Sequence, residues 1–392
     1  MEKRFEALDS WRGICACMVA LFHLSQEFNW SFRGQPLIAN SYIFVDFFFV
    51  LSGFVISGAY RSRLEKGEGV ISFMLRRFGR LYPLHLATLA AIMVLAVTRV
   101  LLPLSQFDPR AIFNGATYDF TAIFTNLLLL QGIGAENHYT WNFPSWSISA
   151  EFYTYVVFAV LWAVLARRGY LAALVLAVVC PLLLAFFPEK TPAVMTLVRC
   201  VFCFAAGSIV QMLFDRFKQS VSFMHRPLIA TLLEFAAVGG CIAYMLIGQF
   251  SIDALVFSLV VLVFAFEGGL ISRLLRTPPM LGLGTLSYSI YMNHIVVLYA
   301  ATQLALALQR AAGLDLRLQT ETGGYLWGTN VVAGNIGIAA LFGLVIATSM
   351  LTYRFIETPG RQWGARMAKR WNERRFKGLV PVAPKRATQA DS

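Results

Sequence analysis

The sequence predicts an all-α polytopic integral membrane protein of about ten transmembrane helices, with both termini cytoplasmic. Three observations predict it. Only 14% of the 392 residues are charged, against about a quarter in soluble domains. Apolar runs long enough to cross a bilayer, about 20 residues each, recur along the whole chain. The basic residues crowd into one alternating set of connecting segments, as the positive-inside rule requires.

The expected spans lie near 8–28, 40–60, 82–102, 145–165, 170–187, 193–214, 228–247, 251–267, 280–308 and 329–353. The segment at 120–131, FTAIFTNLLLLQ, is apolar but short, so it is expected as an eleventh span or as a re-entrant or interfacial piece. Charge favours ten. With the N-terminus inside, the cytoplasmic segments carry 26 Lys/Arg and the outer ones five, while Arg99 and Arg199 fall within spans. A crossing at 120–131 would turn ARRG at 166–169 to the outside. The net charge of +12 is therefore a topology signal, and no nucleic-acid partner is expected. Residues 1–358 form the expected membrane-embedded domain and 359–392 a basic cytoplasmic tail. The tail's first part, RQWGARMAKRWNERRFK, is expected as a helix on the anionic inner leaflet, and its end as disordered.

The first apolar run has no small-residue cleavage site and continues to spanning length, as expected of a first span rather than a cleavable signal. All six cysteines lie in apolar runs and read as small hydrophobes. No metal or bound prosthetic group is predicted.

Ionisable residues in spans cost about 2.5–3.5 kcal/mol on insertion scales, and they usually face a cavity or a partner. Arg12 and His23 are eleven residues apart, close to three turns, which sets both on nearly one helix face. That face carries a fixed cation near the cytosol and a titratable base deeper in. Asp46 sits among aromatics in the second span, where a buried carboxylate calls for an Arg or His partner, and Gly53 and Gly58 permit close helix approach. Arg76, Arg77 and Arg80 precede the third span. They serve as positive-inside anchors, but Arg77 and Arg80 share a face at i, i+3 and suit the oxygens of a polyanion. His85, further on, joins them or packs.

The fourth span opens with Ser145, Ser147 and Ser149, then Glu151, at a depth comparable to that of His23. A carboxylate and a histidine at one depth can handle a proton. The ninth span carries Ser287, Tyr288, Tyr291, Asn293 and His294, with Tyr291 and His294 three apart on one face. His138 and His225 lie in loops and carry no functional expectation.

The motifs RFEALDSWRG…FH, FVDFFFVLSGFVISG, RRFGRLYPLH, PSWSISAEFY, LSYSIYMNH and YRFIETPGR, in this order over residues 4–361, closely resemble acyltransferase family 3. These are integral membrane O-acyltransferases of surface glycans and some secondary metabolites. Its R-x10-H motif matches Arg12 and His23, its R-x-x-R matches Arg77 and Arg80, and its S-x-x-x-E glutamate matches Glu151. The resemblance implies a stand-alone inner-membrane enzyme that moves an acyl group, acetyl above all, from acyl-CoA to a hydroxyl of a carbohydrate or lipid-linked glycan. Arg76, Arg77 and Arg80 would take the CoA phosphates, and the pantetheine arm would pass Arg12 toward His23. His23 would act as general base or carry the acyl group, and Glu151 would orient or protonate it or hold the acceptor. Asp46, Tyr291 and His294 would support the site. A proton-coupled transporter or flippase is the alternative, since carriers also use intramembrane charges, although no internal symmetry or pair of broken helices is visible. A non-catalytic scaffold for envelope assembly is a further reading.

Overall fold

Inside lipid a backbone must satisfy its own N–H and C=O groups, which leaves helices or a closed barrel. The apolar runs fold as helices. The computed structural model describes residues 4–65, 69–101, 119–165, 168–186, 192–221, 224, 226–248, 252–321 and 324–377. In chain order the helices are α1 (Glu6–Glu27), α2 (Pro36–Ala39), α3 (Phe44–Glu65), α4 (Val70–Leu101), α5 (Thr121–Leu127), α6 (Ser145–Leu165) and α7 (Gly169–Phe186). They continue as α8 (Pro192–Phe217), α9 (Pro227–Ile247), α10 (Asp253–Phe264), α11 (Leu270–Leu275), α12 (Pro278–Ala312), α13 (Val331–Thr352) and α14 (Thr358–Lys377). A two-stranded antiparallel ribbon, β1 (Arg317–Gln319) and β2 (Tyr325–Trp327), joins α12 to α13.

Among the described residues nine helices are long and apolar enough to cross a membrane. Nine of the ten expected spans correspond to them. The tenth, expected at 251–267, is α10, a helix of 12 residues, too short to cross alone. It nevertheless carries the chain from one end of the bundle to the other. Asp253, at its start, accepts a 2.9 Å hydrogen bond from Tyr244 late in α9. Beyond its far end, Glu267 accepts one from the backbone N–H of Ala7, at the start of α1.

The segment at 120–131 does not cross. It yields only α5, of seven residues, about 10 Å of helix. His85 Nε2 and Tyr82 Oη of α4 donate to the Asn126 and Leu127 carbonyls at 2.9 and 3.0 Å and tie α5 down.

The outer surface is apolar. Leu171, Val175, Val178, Leu182 and Phe186 form an exposed stripe on α7 at helical spacing, a face that suits lipid. Between helices in lipid the hydrophobic drive is weak, and close backbone packing takes its place. Gly13 on α1 crosses Gly284 on α12 so tightly that a Cβ on Gly13 would lie 2.5 Å from the Gly284 nitrogen. Gly53 on α3 crosses α8, where a Cβ would lie 2.0 Å from the Phe204 carbonyl oxygen.

α1 occupies the middle of the bundle because it buries two stripes. Leu8, Trp11, Cys15 and Val19 enter the main core. Ala16, Ala20 and Leu24 pack on Ile290 and Val297 of α12 and Leu341 and Val345 of α13.

α13 runs through a five-residue π-helical turn, Tyr353–Glu357, into α14. The basic stretch expected on the leaflet is this helix, and it packs on the first turns of α4. Ser72 donates to Asn372 there, and the Phe78 and Trp363 rings meet with centroids 6.3 Å apart. Residues 378–392, expected as disordered, lie outside the described residues.

Candidate active site

α1, α3, α4, α6 and α12 converge on a half-open cavity, about 520 Å³ of empty space when its open mouth is included. Its polar lining is Arg12, Ser52, Arg80, Ser147, Glu151, Ser287, Tyr288 and Tyr291, with Val45, Phe48, Phe49, Leu81 and Ile148 supplying apolar walls. The crossing at Gly13 sets Arg12 beside α12, and its Nε donates to Ser287 Oγ at 2.9 Å. Asp9 Oδ1 lies 4.0 Å from the same guanidinium. Arg80 makes no hydrogen bond or ion pair among the described residues. Arg77 stands behind it, its guanidinium 5.3 Å from the Phe73 ring centre and 5.7 Å from that of Tyr155, with Nε buried and unpartnered. Burying an unpaired charge is costly unless a ligand completes it.

Glu151 is the carboxylate in the lining. Its Oε1 accepts from Ser52 Oγ at 2.6 Å and from Tyr155 Oη. With Arg12 and Arg80 facing Glu151, the lining carries more positive than negative charge, which favours an anion. At the other end Tyr291 Oη and Ser147 Oγ lie 2.8 Å apart, and Tyr291 donates to the Pro144 carbonyl at 3.2 Å.

One turn beyond Tyr291 on α12, His294 meets His23 of α1. Each lies ten residues past the Gly13–Gly284 crossing, because the two helices start from the same end of the bundle and run side by side. His23 Nδ1 lies 3.0 Å from the Val19 carbonyl oxygen and 3.2 Å from His294 Nε2. His294 Nδ1 lies 3.3 Å from the Ile290 carbonyl oxygen. Carbonyl oxygens only accept, so in the neutral rings each Nδ1 carries the proton, and His294 Nε2 offers its lone pair to His23. His23 Nε2 is then a bare lone pair, and it makes no hydrogen bond among the described residues. Phe22 and Phe143 flank the His23 ring edge-on at 4.8 and 5.5 Å.

A cationic cavity beneath a histidine with a free nitrogen is a layout for group transfer from an anionic donor, and comparison with known proteins decides the family. The model of acyltransferase family 3, described as "Acyltransferase domain", matches residues 5–354. The chain belongs to this acyltransferase family.

Among curated proteins, "Acyltransferase MdmB" of Streptomyces mycarofaciens is 31% identical over 174 residues, 42% of this chain and 41% of that protein. "Protein 2 in picA locus" of Rhizobium radiobacter is 43% identical over 89 residues, 22% of this chain and 44% of that protein. The chain thus spans less than half the length of each of these relatives. No solved structure matches.

Within this family member the residues singled out from sequence divide into groups. Arg12, Arg80, Glu151 and Tyr291 line the cavity, and His23 and His294 meet just beyond it. His23 hydrogen-bonds to His294, whereas Glu151 is held by Ser52 and Tyr155. Arg76 and Arg77 are outside the lining. Asp46 is fully buried and pairs with Arg199 of α8, whose Nε reaches both carboxylate oxygens at 2.7 and 2.9 Å. His85 is a packing residue that anchors α5. His225 lies outside the described residues.

Sequence reasoning missed Ser52 and Tyr155. Tyr155 was findable, since it follows Glu151 by four residues on one helix face. Ser52 comes from another helix, and its pairing with Glu151 has no local signal.

Proposed function

We propose that this protein is an O-acyltransferase that moves an acyl group, acetyl first among candidates, from acyl-CoA to a hydroxyl of a carbohydrate or lipid-linked glycan. The single observation that carries the proposal is the cationic cavity bounded by Arg12 and Arg80, with His23 and its free Nε2 just beyond. Membership of the acyltransferase family supports acyl transfer, and the motif resemblance supports the glycan acceptor.

In this reading Arg80 and Arg77 take the phosphates of the donor, with Arg76 near them, and Arg12 lies along the pantetheine path. Guanidiniums suit phosphate because their planar fork matches its oxygens. The acceptor hydroxyl comes to His23. His23 Nε2 removes the hydroxyl proton as the oxygen attacks the thioester carbonyl carbon, and the carbon–sulfur bond breaks. The CoA thiolate leaves and recovers the proton from His23. General-base help of this kind contributes about 10²- to 10⁴-fold. Glu151, within the cavity, orients the acyl or acceptor group.

The distribution of basic residues supports cytoplasmic termini, and the motif resemblance supports an inner-membrane location; in this reading the donor end is at Arg77 and Arg80 and the acceptor end near His23.

Membranes containing the protein, given acetyl-CoA labelled in the acetyl group, are expected to pass label to a glycan fraction and release free CoA. His23→Ala membranes with the same amount of folded protein are expected to pass none. Transfer at the wild-type rate by His23→Ala would refute the assignment. Consumption of no acetyl-CoA by the wild type, with a solute moved across the bilayer, would favour a carrier.

A further inference from the structure

We propose that His294 is the positioning residue of this reaction: its neutral Nε2 holds His23 in the tautomer whose Nε2 is the reacting nitrogen. The inference rests on the reading of His23 as general base.

Three features carry it. First, the hydrogen-bond chain has one direction. His294 Nδ1 faces the Ile290 carbonyl at 3.3 Å, so the lone pair of its neutral ring is on Nε2, which lies 3.2 Å from His23 Nδ1. Without His294, His23 still has the Val19 carbonyl at 3.0 Å, but that bond runs back along its own helix and leaves the ring free to turn away. The second acceptor comes from a different helix and fixes the ring plane against it.

Second, His294 has no surface role. It is fully buried, on the helix that packs Ile290 and Val297 against Ala16, Ala20 and Leu24 of α1. An aliphatic residue would fit that seam at lower desolvation cost, because burying a polar ring is unfavourable unless its nitrogens are bonded. Both nitrogens of His294 are bonded, one of them to His23.

Third, the pair is placed by a close backbone crossing on α1. Gly13 and Gly284 lock the register of α1 against α12, and His23 and His294 follow at equal distances from that crossing. The register that delivers Arg12 to Ser287 also delivers His23 to His294.

When His23 takes the acceptor proton on Nε2, it becomes an imidazolium whose Nδ1–H still points at His294 Nε2. No proton moves between the two rings. The neutral lone pair stabilises the transient cation and keeps the ring aimed, as a hydrogen-bonded third group does for other histidine bases.

The test uses the full-length protein in membranes, with labelled acetyl-CoA as the probe, and compares His294→Leu with His294→Gln. Glutamine offers a carbonyl oxygen about where Nε2 stands, so it can accept from His23; leucine fills the space and accepts nothing. We expect His294→Leu to lower kcat by about 100-fold, within the range of base catalysis, with the acetyl-CoA KM within about twofold of wild type. His294→Gln is expected to recover at least about tenfold of that loss, the fraction that a restored acceptor supplies.

A wild-type kcat in His294→Leu, with His23→Ala inactive, overturns the positioning role and leaves the base assignment standing. Equal losses in Leu and Gln, matched by equal losses of folded protein, also overturn it, since a packing role predicts that result. An active His23→Ala is the separate failure of the underlying reading.

Discussion

Asp46 on α3 grips Arg199 on α8 through both carboxylate oxygens, at 2.7 and 2.9 Å from the same Nε. The carboxylate is wholly buried, whereas the arginine side chain is 37% exposed. The pair sits on the two helices that cross at Gly53 and Gly207, so it marks a structural seam. Breaking a buried pair from the exposed side leaves the buried charge stranded, at about 3–5 kcal/mol. Arg199→Leu is therefore expected to destabilise the protein more than Asp46→Leu does, and the double Leu variant is expected to regain most of the loss. Thermal unfolding of detergent-solubilised protein, followed by the loss of a monodisperse peak, checks the order.

Arg80 is the lining cation without a protein partner among the described residues. Arg80→Ala is expected to raise the acetyl-CoA KM by about 10- to 100-fold, the range for losing a charge-assisted hydrogen bond of about 1.5–3 kcal/mol. kcat at saturating donor is expected to change far less. Initial rates over a range of acetyl-CoA concentration separate the two. A KM unchanged by the substitution would place the phosphates elsewhere.

Glu151 faces the same cavity with the opposite sign. Glu151→Gln keeps the shape and an acceptor oxygen for Ser52 and Tyr155 but removes the charge. A polyanionic donor then meets less repulsion, so its KM is expected to stay level or fall. If Glu151 orients the reacting groups, kcat falls by at least about tenfold, in keeping with a lost charged contact of about 1.5–3 kcal/mol. The two constants moving in opposite senses of efficiency is the signature, measured in the same assay.

The Gly13–Gly284 crossing is a fourth element open to test. A Cβ on Gly284 would stand 2.4 Å from the Asp9 carbonyl oxygen, which belongs to rigid backbone. Gly284→Ala is expected to cost about 1–3 kcal/mol of stability, as overpacking does. Because it forces α1 from α12, it is also expected to lower transfer more than the loss of folded protein accounts for. Gly343→Ala, where an added Cβ meets nothing within 4 Å, serves as the control and is expected to match wild type. Activity per unit of folded protein gives the comparison.

Much of this architecture is written in local chemistry. Apolar runs of spanning length had to become helices, because lipid offers the backbone no other partners. The spacing of Arg12 and His23 placed them on one face of α1, and Glu151 and His294 stood out as polar residues in apolar surroundings. α10 was harder. Its apolar run is continuous with a spanning length in sequence, but the helix ends at Phe264, short of Gly268 and Gly269, after 12 residues.

The partnerships had no such local trace. Matching depth suggested His23 and Glu151 as a pair, yet depth is one coordinate of three, and helix rotation decides which side chains touch. Rotation brought Ser52 and Tyr155 to Glu151, Arg199 to Asp46 and His294 to His23. By itself, the sequence determined a helical membrane protein, its polar residues and their order along each helix, because periodicity and hydropathy act within one segment. The tertiary structure alone decided which of those residues meet, because close glycine crossings set the register and rotation of helices distant in the chain.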